Sequence, residues 1–252
     1  MDSTEYYFII DRLNTPADVD FLNEKMGLSR DMLFNILARK VVRNVLRTFH
    51  RIKAKQRHLL DDWKRGKSFC ELAAREGFPP VLMASFVLEA KRVSKKQFQQ
   101  MLRNPEKVAD KRICAELKEV VEKDFVYSPR SSDIQRQHGK DAELKLSEFV
   151  KRLGVEYMTE YENKAVKHHQ RTPDFLLKKP VMVEGMKVHW VESKASFGSP
   201  EEMKRDYRRQ LEPYVKHFGP GIVVYWYGYV EDVALPNVRV IDENFFTREQ
   251  AK

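Results

Sequence analysis

The first half of the chain places apolar residues at helical spacing. From Ser29 onward, leucines and valines recur every four residues as far as Val45, which predicts one long helix reaching about Trp63. Capping residues and prolines predict the starts of shorter helices at Thr15-Pro16, Ser68 with Glu71, Pro79-Pro80, and Ser94 with Gln97. Residues 1–126 are therefore predicted to form an α-helical region.

The pattern changes in the second half. Residues 127–139 are polar and contain Pro129 and Gly139, which predicts an interdomain linker or a mobile loop. Residues 140–252 are predicted to form a second domain with the order helix, three strands, helix, strand. The expected elements are a helix over Lys140–Leu153, strands at Val155–Glu160, Phe175–Leu177 and Lys187–Ala195, a helix from Ser199 to His217 and a strand at Ile222–Val230. The expected fold class is thus a helical N-terminal region followed by an α/β domain.

Charge favours a polyanionic partner. The 252 residues include 46 Lys and Arg against 37 Asp and Glu, a formal charge of +9, which is a weak indication of nucleic acid. Cys70 and Cys114 stand far apart in the sequence and support neither a disulfide framework nor a zinc site. No apolar run approaches the roughly 20 residues of a membrane span, so we expect a soluble intracellular protein.

The candidate catalytic residues lie in two tripeptides, Thr172-Pro173-Asp174 and Glu192-Ser193-Lys194. Alternation along a strand places Glu192 and Lys194 on one face and Ser193 on the other. A meander would bring Asp174 alongside Glu192, and two adjacent carboxylates favour a hard divalent cation such as Mg²⁺ or Mn²⁺. Lys194 could then orient the attacking water or neutralise developing charge.

An E-x-K on a strand is more often a surface ion pair than a catalytic site. The preceding T-P-D and the predicted element order change that balance. Together they resemble the restriction-endonuclease-like, or PD-(D/E)xK, nuclease core with its αβββαβ order. Pro173-Asp174 corresponds to the PD, and Glu192-Ser193-Lys194 to the E-x-K.

The resemblance extends beyond this motif. The stretches RTPDFLL, HWVESKASFG and FGPGIVVYWYGY are similar to the codanin-interacting nuclease family, also described by its TPD motif. That family is regarded as a divergent PD-(D/E)xK nuclease related to archaeal Holliday-junction resolvases. The resemblance implies codanin as a partner, a link to erythroid differentiation, and a location in the nucleus and also in the cytoplasm.

The same resemblance implies roles for single residues. Asp174, Glu192 and Lys194 fall on the catalytic motif, with the two carboxylates as metal ligands. Glu143 takes the place of a metal-binding glutamate on the helix before the first strand, although helix surfaces commonly carry glutamate. Gln210, within RRQLEPY, takes the place of a glutamine near the substrate. Arg171 stands beside the motif, either as a phosphate contact or as a surface charge.

A basic stretch on the long helix is the candidate nucleic-acid surface. Arg43, Arg47 and Arg51 belong to it, and they form either a surface that grips phosphates or a solvated helix face. Phe69–Lys91 has the size of a helix-turn-helix, but its second helix is too apolar to read base edges.

Three functions remain open from the sequence. The leading one is a metal-dependent nuclease acting with codanin, structure-selective and with DNA as the expected nucleic acid. The second is a catalytically weak or inactive nuclease fold that serves as a codanin-binding adaptor. The third is a non-catalytic helix-turn-helix DNA binder.

Overall fold

The protein is described by a computed structural model over residues 1–160, 162 and 172–250. Two compact units are present, one made of Met1–Leu37 with His138–Lys252 and the other of Ala38–Gln137. The first 37 residues thus group with the second half of the chain, unlike the division expected from the sequence. No helix among the described residues is long and apolar enough to cross a membrane.

The described helices before the sheet include one that begins at each helix start predicted from capping residues and prolines. They are α1 Ser3–Arg12, α2 Pro16–Met26, α3 Arg30–Ala54, α4 Gln56–Lys64, α5 Phe69–Glu76, α6 Pro80–Ala90, α7 Lys95–Arg103, α8 Lys111–Lys123 and α9 Pro129–Arg152. Both predicted serine capping boxes form, because Ser68 and Ser94 each accept from the backbone three residues on. The long helix expected to reach Trp63 instead breaks at Lys55, where no proline or glycine marks the break in the sequence.

The prediction of a linker or mobile loop over residues 127–139 is wrong, because α9 begins at Pro129 and runs through that segment. The Ser128 hydroxyl accepts from the Ser131 backbone N–H at 3.2 Å, so Ser128 caps the helix and Pro129 occupies its first turn. Both residue types also occur in loops. Gly139 lies inside the helix with open space where a side chain would be.

The unit of residues 38–137 has its own core. Helix α6 lies at its centre, with six buried side chains that include Phe86 and Leu88. Helices α5 and α6 flank Gly77 as the helix-turn-helix prediction requires, and Gly77 adopts a left-handed conformation with φ of 60°. Since α6 is mostly buried, it packs within its unit, as its apolar sequence indicates.

The other unit contains a five-stranded mixed sheet with the strand order β1-β2-β3-β4-β5. Its strands are β1 Tyr157–Thr159, β2 Phe175–Val183, β3 Met186–Lys194, β4 Gly221–Tyr225 and β5 Val238–Ile241. The first three strands are antiparallel, whereas β3, β4 and β5 run parallel. The predicted order of a helix, three strands, a helix and a strand is therefore present, and β5 is an addition that the sequence did not predict.

Helices pack on both faces of this sheet. One face packs against α9 and the terminal helix α12, Glu243–Gln250, through residues such as Leu146 and Phe149. The other face packs against a helical stretch made of α10 Pro200–Asp206, a π-helical turn Tyr207–Leu211, and α11 Glu212–Phe218. Strand β3 lies in the middle of the sheet, and its residues Trp190, Glu192 and Lys194 face this second layer.

Candidate active site

Asp174 and Glu192 lie side by side on neighbouring strands. Phe175, the first residue of β2, pairs with Val191 of β3, so the two acidic residues follow directly in register. The Asp174 backbone N–H donates to Glu192 Oε2 at 3.2 Å, and the Ser193 backbone N–H donates to Asp174 Oδ2 at 2.8 Å. The structure thus brings together the two carboxylates that the meander was expected to bring together.

Two further side chains contact the same carboxylate. Lys194 Nζ lies 2.6 Å from Glu192 Oε1 and 2.7 Å from Gln210 Oε1, while Gln210 Nε2 donates to Glu192 Oε1 at 2.6 Å. Ser193 points to the opposite face of the sheet, where its hydroxyl accepts from Trp226 Nε1 at 2.8 Å. The alternation predicted for β3 is therefore observed.

Gln210 reaches the site from the π-helical turn Tyr207–Leu211. Such turns insert one residue into a helix and occur frequently at functional sites. Four residues further on, the buried Tyr214 accepts from Gln210 Nε2 at 2.8 Å and donates to the Thr172 carbonyl at 2.7 Å. Tyr214 was missed in the sequence, where its spacing of four from Gln210 was the available indication.

Burial dominates the electrostatics of the pair. It raises the pKa of Glu192 to about 7, and the neighbouring Asp174 charge adds to the rise while Lys194 opposes it. Burial also raises the pKa of Asp174, against the lowering effect of the Ser193 N–H and of Lys194. The negative charges of Glu160 and Glu143 raise that pKa further. Because two buried carboxylates repel each other, a positive charge beside Asp174 and Glu192 would stabilise their ionised forms.

The remaining predicted site residues are placed less centrally. Glu143 is exposed on α9 and acts on Asp174 through its charge. Arg171 lies outside the described residues. Arg43, Arg47 and Arg51 all lie on α3 at spacing four, with Arg47 and Arg51 exposed and Arg43 half-buried. These three belong to the other unit.

Some basic residues of the α3–α4 stretch are already ion-paired. Lys53 contacts Glu89 at 3.2 Å and Lys55 contacts Glu76 at 2.9 Å. Such pairs reduce the positive charge that this stretch presents to a polyanion.

The site defines an α/β protein in which a buried carboxylate pair, a lysine and a glutamine meet at the C-terminal end of β3, the central strand of a mixed sheet. A family model described as "Protein of unknown function TPD sequence-motif" matches residues 109–245, more than half of the chain. The chain is 33% identical over 187 residues to the mouse protein CDAN1-interacting nuclease 1, and 32% identical to the human one. It therefore belongs to the codanin-interacting nuclease family, whose resemblance the sequence motifs had indicated.

The match does not extend over the whole of these relatives. It covers 71% of this chain but 66% of the mouse and human proteins. The frog relative from Xenopus laevis is 34% identical over 65% of this chain and 56% of its own length. The chain thus matches less than two thirds of the length of these relatives. No solved structure matches it.

Proposed function

We propose that this protein is a metal-dependent nuclease with a PD-(D/E)xK core. The observation that carries the proposal is the convergence of Asp174, Glu192 and Lys194 on one point of the sheet. The order of α9, three antiparallel strands, a helical layer and a parallel strand supports the assignment of the core. The name of the vertebrate relatives supports the reaction class.

The donor set fits a hard divalent cation. Within the described part of the chain, no group of three or more histidine, cysteine, aspartate or glutamate side chains is placed to hold a metal. Mg²⁺ does not need such a cage, since one or two carboxylates with waters and substrate phosphates are its common protein ligands. Asp174 and Glu192 supply two hard oxygen ligands whose mutual repulsion a cation would relieve. Glu143 is proposed to act on that cation from the rim.

The cation, Lys194 and Asp174 have separate roles in the proposed hydrolysis. When bound, Mg²⁺ or Mn²⁺ would polarise the phosphate and lower the pKa of the attacking water. Lys194, held by Glu192 and Gln210, places an ammonium group where negative charge develops on the phosphate. The Ser193 N–H donates to Asp174 Oδ2 at 2.8 Å, which holds this carboxylate beside Glu192.

Substrate binding is assigned to nucleic acid, with DNA expected, and partner binding to codanin. The exposed arginines Arg47 and Arg51, with Arg43, are proposed to contact phosphates, as is Arg171. Burial of α6 disfavours sequence readout, which leaves recognition of nucleic-acid structure as the proposed basis of selectivity. The codanin assignment rests on the name of the relatives, and a nuclear location is proposed with it.

Cleavage of a labelled panel tests this function. Duplexes, single strands, flaps and four-way junctions are incubated with Mg²⁺, Mn²⁺ or EDTA, and Asp174→Asn is purified in parallel. Cutting that needs the metal and disappears in Asp174→Asn supports the nuclease and identifies its substrate. Equal cutting by both proteins points to a contaminant and contradicts the assignment.

A codanin-binding adaptor with a weak or inactive nuclease fold is the second candidate. It is favoured by one observation, that Glu192 Oε1 already accepts from both Lys194 and Gln210. An adaptor predicts that wild type and Asp174→Asn bind codanin equally and that neither cuts any substrate. A helix-turn-helix reader, by contrast, has little support, because α6 is buried within its unit.

A further inference from the structure

The hydroxyl of Tyr214 joins the TPD segment to Gln210. It donates to the Thr172 carbonyl at 2.7 Å and accepts from Gln210 Nε2 at 2.8 Å. The side chain is only 1% exposed, and its ring packs edge-on against Trp190 at 5.4 Å between centroids. A buried hydroxyl held on both sides has a defined direction of hydrogen bonding.

That direction follows from the Thr172 carbonyl, which can only accept. The single proton of the Tyr214 hydroxyl is therefore committed to Thr172, and its oxygen must accept from Gln210. The Gln210 amide consequently presents its NH₂ group to Tyr214 and its Oε1 to Lys194, 2.7 Å away. A flipped amide would place its oxygen against the Tyr214 oxygen and its NH₂ group against the Lys194 ammonium.

Glu192 favours the same amide orientation, since its Oε1 accepts from Gln210 Nε2 at 2.6 Å. That contribution weakens whenever Glu192 directs its negative charge to a cation. The hydrogen bond from Gln210 to Tyr214 does not depend on the charge of the carboxylates. Tyr214 is thus the group that retains the amide orientation when Glu192 is otherwise engaged.

We infer that Tyr214 is a positioning residue, which fixes the amide of Gln210 and through it the ammonium of Lys194. The inference rests on the proposed function for its effect on rate, because only there does Lys194 act on a substrate. Its structural part, the orientation of Gln210, is independent of any activity.

The structural part is tested by NMR on Tyr214→Phe, which removes only the hydroxyl. The side-chain amide of Gln210 is assigned by its disappearance in Gln210→Glu. We expect one of its two amide protons to shift upfield and to exchange faster in Tyr214→Phe. Tyr207→Phe is the matched control. Tyr207 lies on the same π-helical turn as Gln210, but its hydroxyl donates to the Pro236 carbonyl at 3.3 Å. An unchanged Gln210 resonance in Tyr214→Phe would overturn the inference.

The kinetic part uses the substrate that wild type cleaves. Tyr214→Phe should lower the single-turnover rate about 10–100-fold, the loss typical when a residue that supports a metal site is changed, with unchanged affinity for the substrate. Tyr207→Phe should retain the wild-type rate. Equal rates for wild type and Tyr214→Phe would refute the positioning role and leave the nuclease intact. If wild type cleaves nothing, the proposed function fails, and the Gln210 resonance alone decides whether Tyr214 orients the amide.

Discussion

The Asp174 backbone N–H donates to the Glu192 carboxylate at 3.2 Å, directly beside Phe175 and Val191, the first antiparallel pair of β2 and β3. The hydrogen bond from the Ser193 N–H to Asp174 returns the contact in the other direction at 2.8 Å. Each acidic side chain is thus held by the backbone of the neighbouring strand. The register of β2 and β3 therefore sets the relative position of the two carboxylates.

The stability of the metal-free protein should depend on pH through Glu192. Burial disfavours the charged carboxylate and raises the pKa of Glu192 from its ordinary value of 4.5 to about 7 in the folded protein. The folded state therefore keeps a proton that the unfolded state loses, and stability falls as the pH rises from about 4.5 to 7.

Glu192→Gln removes this titration. In thermal unfolding with EDTA, the Tm of Glu192→Gln minus the Tm of wild type should increase from pH 5 to pH 8. Asp61→Asn, on the exposed surface of α4, is the control and should follow wild type. A constant difference between Glu192→Gln and wild type over this range would contradict the raised pKa.

Divalent cations should stabilise the wild type through the same pair. Because bound metal stabilises only the folded state, the Tm of wild type should rise with Mn²⁺ concentration. Asp174→Asn and Glu192→Gln should lose most of that rise, while Glu143→Gln should lose a smaller part. Equal shifts in wild type and both central variants would place the cation elsewhere.

The arginines of α3 should contribute to nucleic-acid affinity in a salt-dependent way. Arg47→Ala and Arg51→Ala should each weaken binding and reduce the slope of log affinity against log salt by about 1. Lys118→Ala removes the same charge from an exposed position of α8 and serves as the control. Slopes that change equally in all three variants would show a general charge effect, with no defined surface on α3.

Gly139→Ala tests whether residues 129–139 are helical. Open space surrounds the position at which its Cβ would lie, so alanine should raise stability by about 0.5–1 kcal/mol in a helix interior. Urea unfolding measures the difference. A mobile loop, as first predicted for this segment, would leave the stability unchanged.

Gly221→Ala should have the opposite effect. A Cβ at this position would lie 2.1 Å from the Trp190 ring, beneath the site. Neither the buried indole, whose Nε1 donates to the Gly219 carbonyl at 2.8 Å, nor β4 can move freely. We expect a loss of about 1–3 kcal/mol or more in urea unfolding. Stability equal to wild type would show that the sheet tolerates the shift.

The sequence allowed the helix caps, the β2–β3 meander and the alternation of Glu192, Ser193 and Lys194 to be predicted, because each depends on local pattern. The start of α9 was misjudged, since Ser128 and Pro129 suit a loop as well as a helix start. The break at Lys55, the π-helical turn that carries Gln210, and the grouping of residues 1–37 depend on tertiary packing. Tyr214 was missed for the same reason, because its partner Thr172 lies 42 residues away in the chain.

Catalysis by Asp174, Glu192 and Lys194 is tested by single-turnover cleavage of the best substrate, with wild type, Asp174→Asn and Lys194→Met prepared identically. We expect cutting that requires Mg²⁺ or Mn²⁺, stops with EDTA and falls at least about 100-fold in each variant. Asp61→Asn should cut as wild type does. Cleavage that survives in Asp174→Asn and Lys194→Met, or that proceeds unchanged in EDTA, would contradict catalysis by this site.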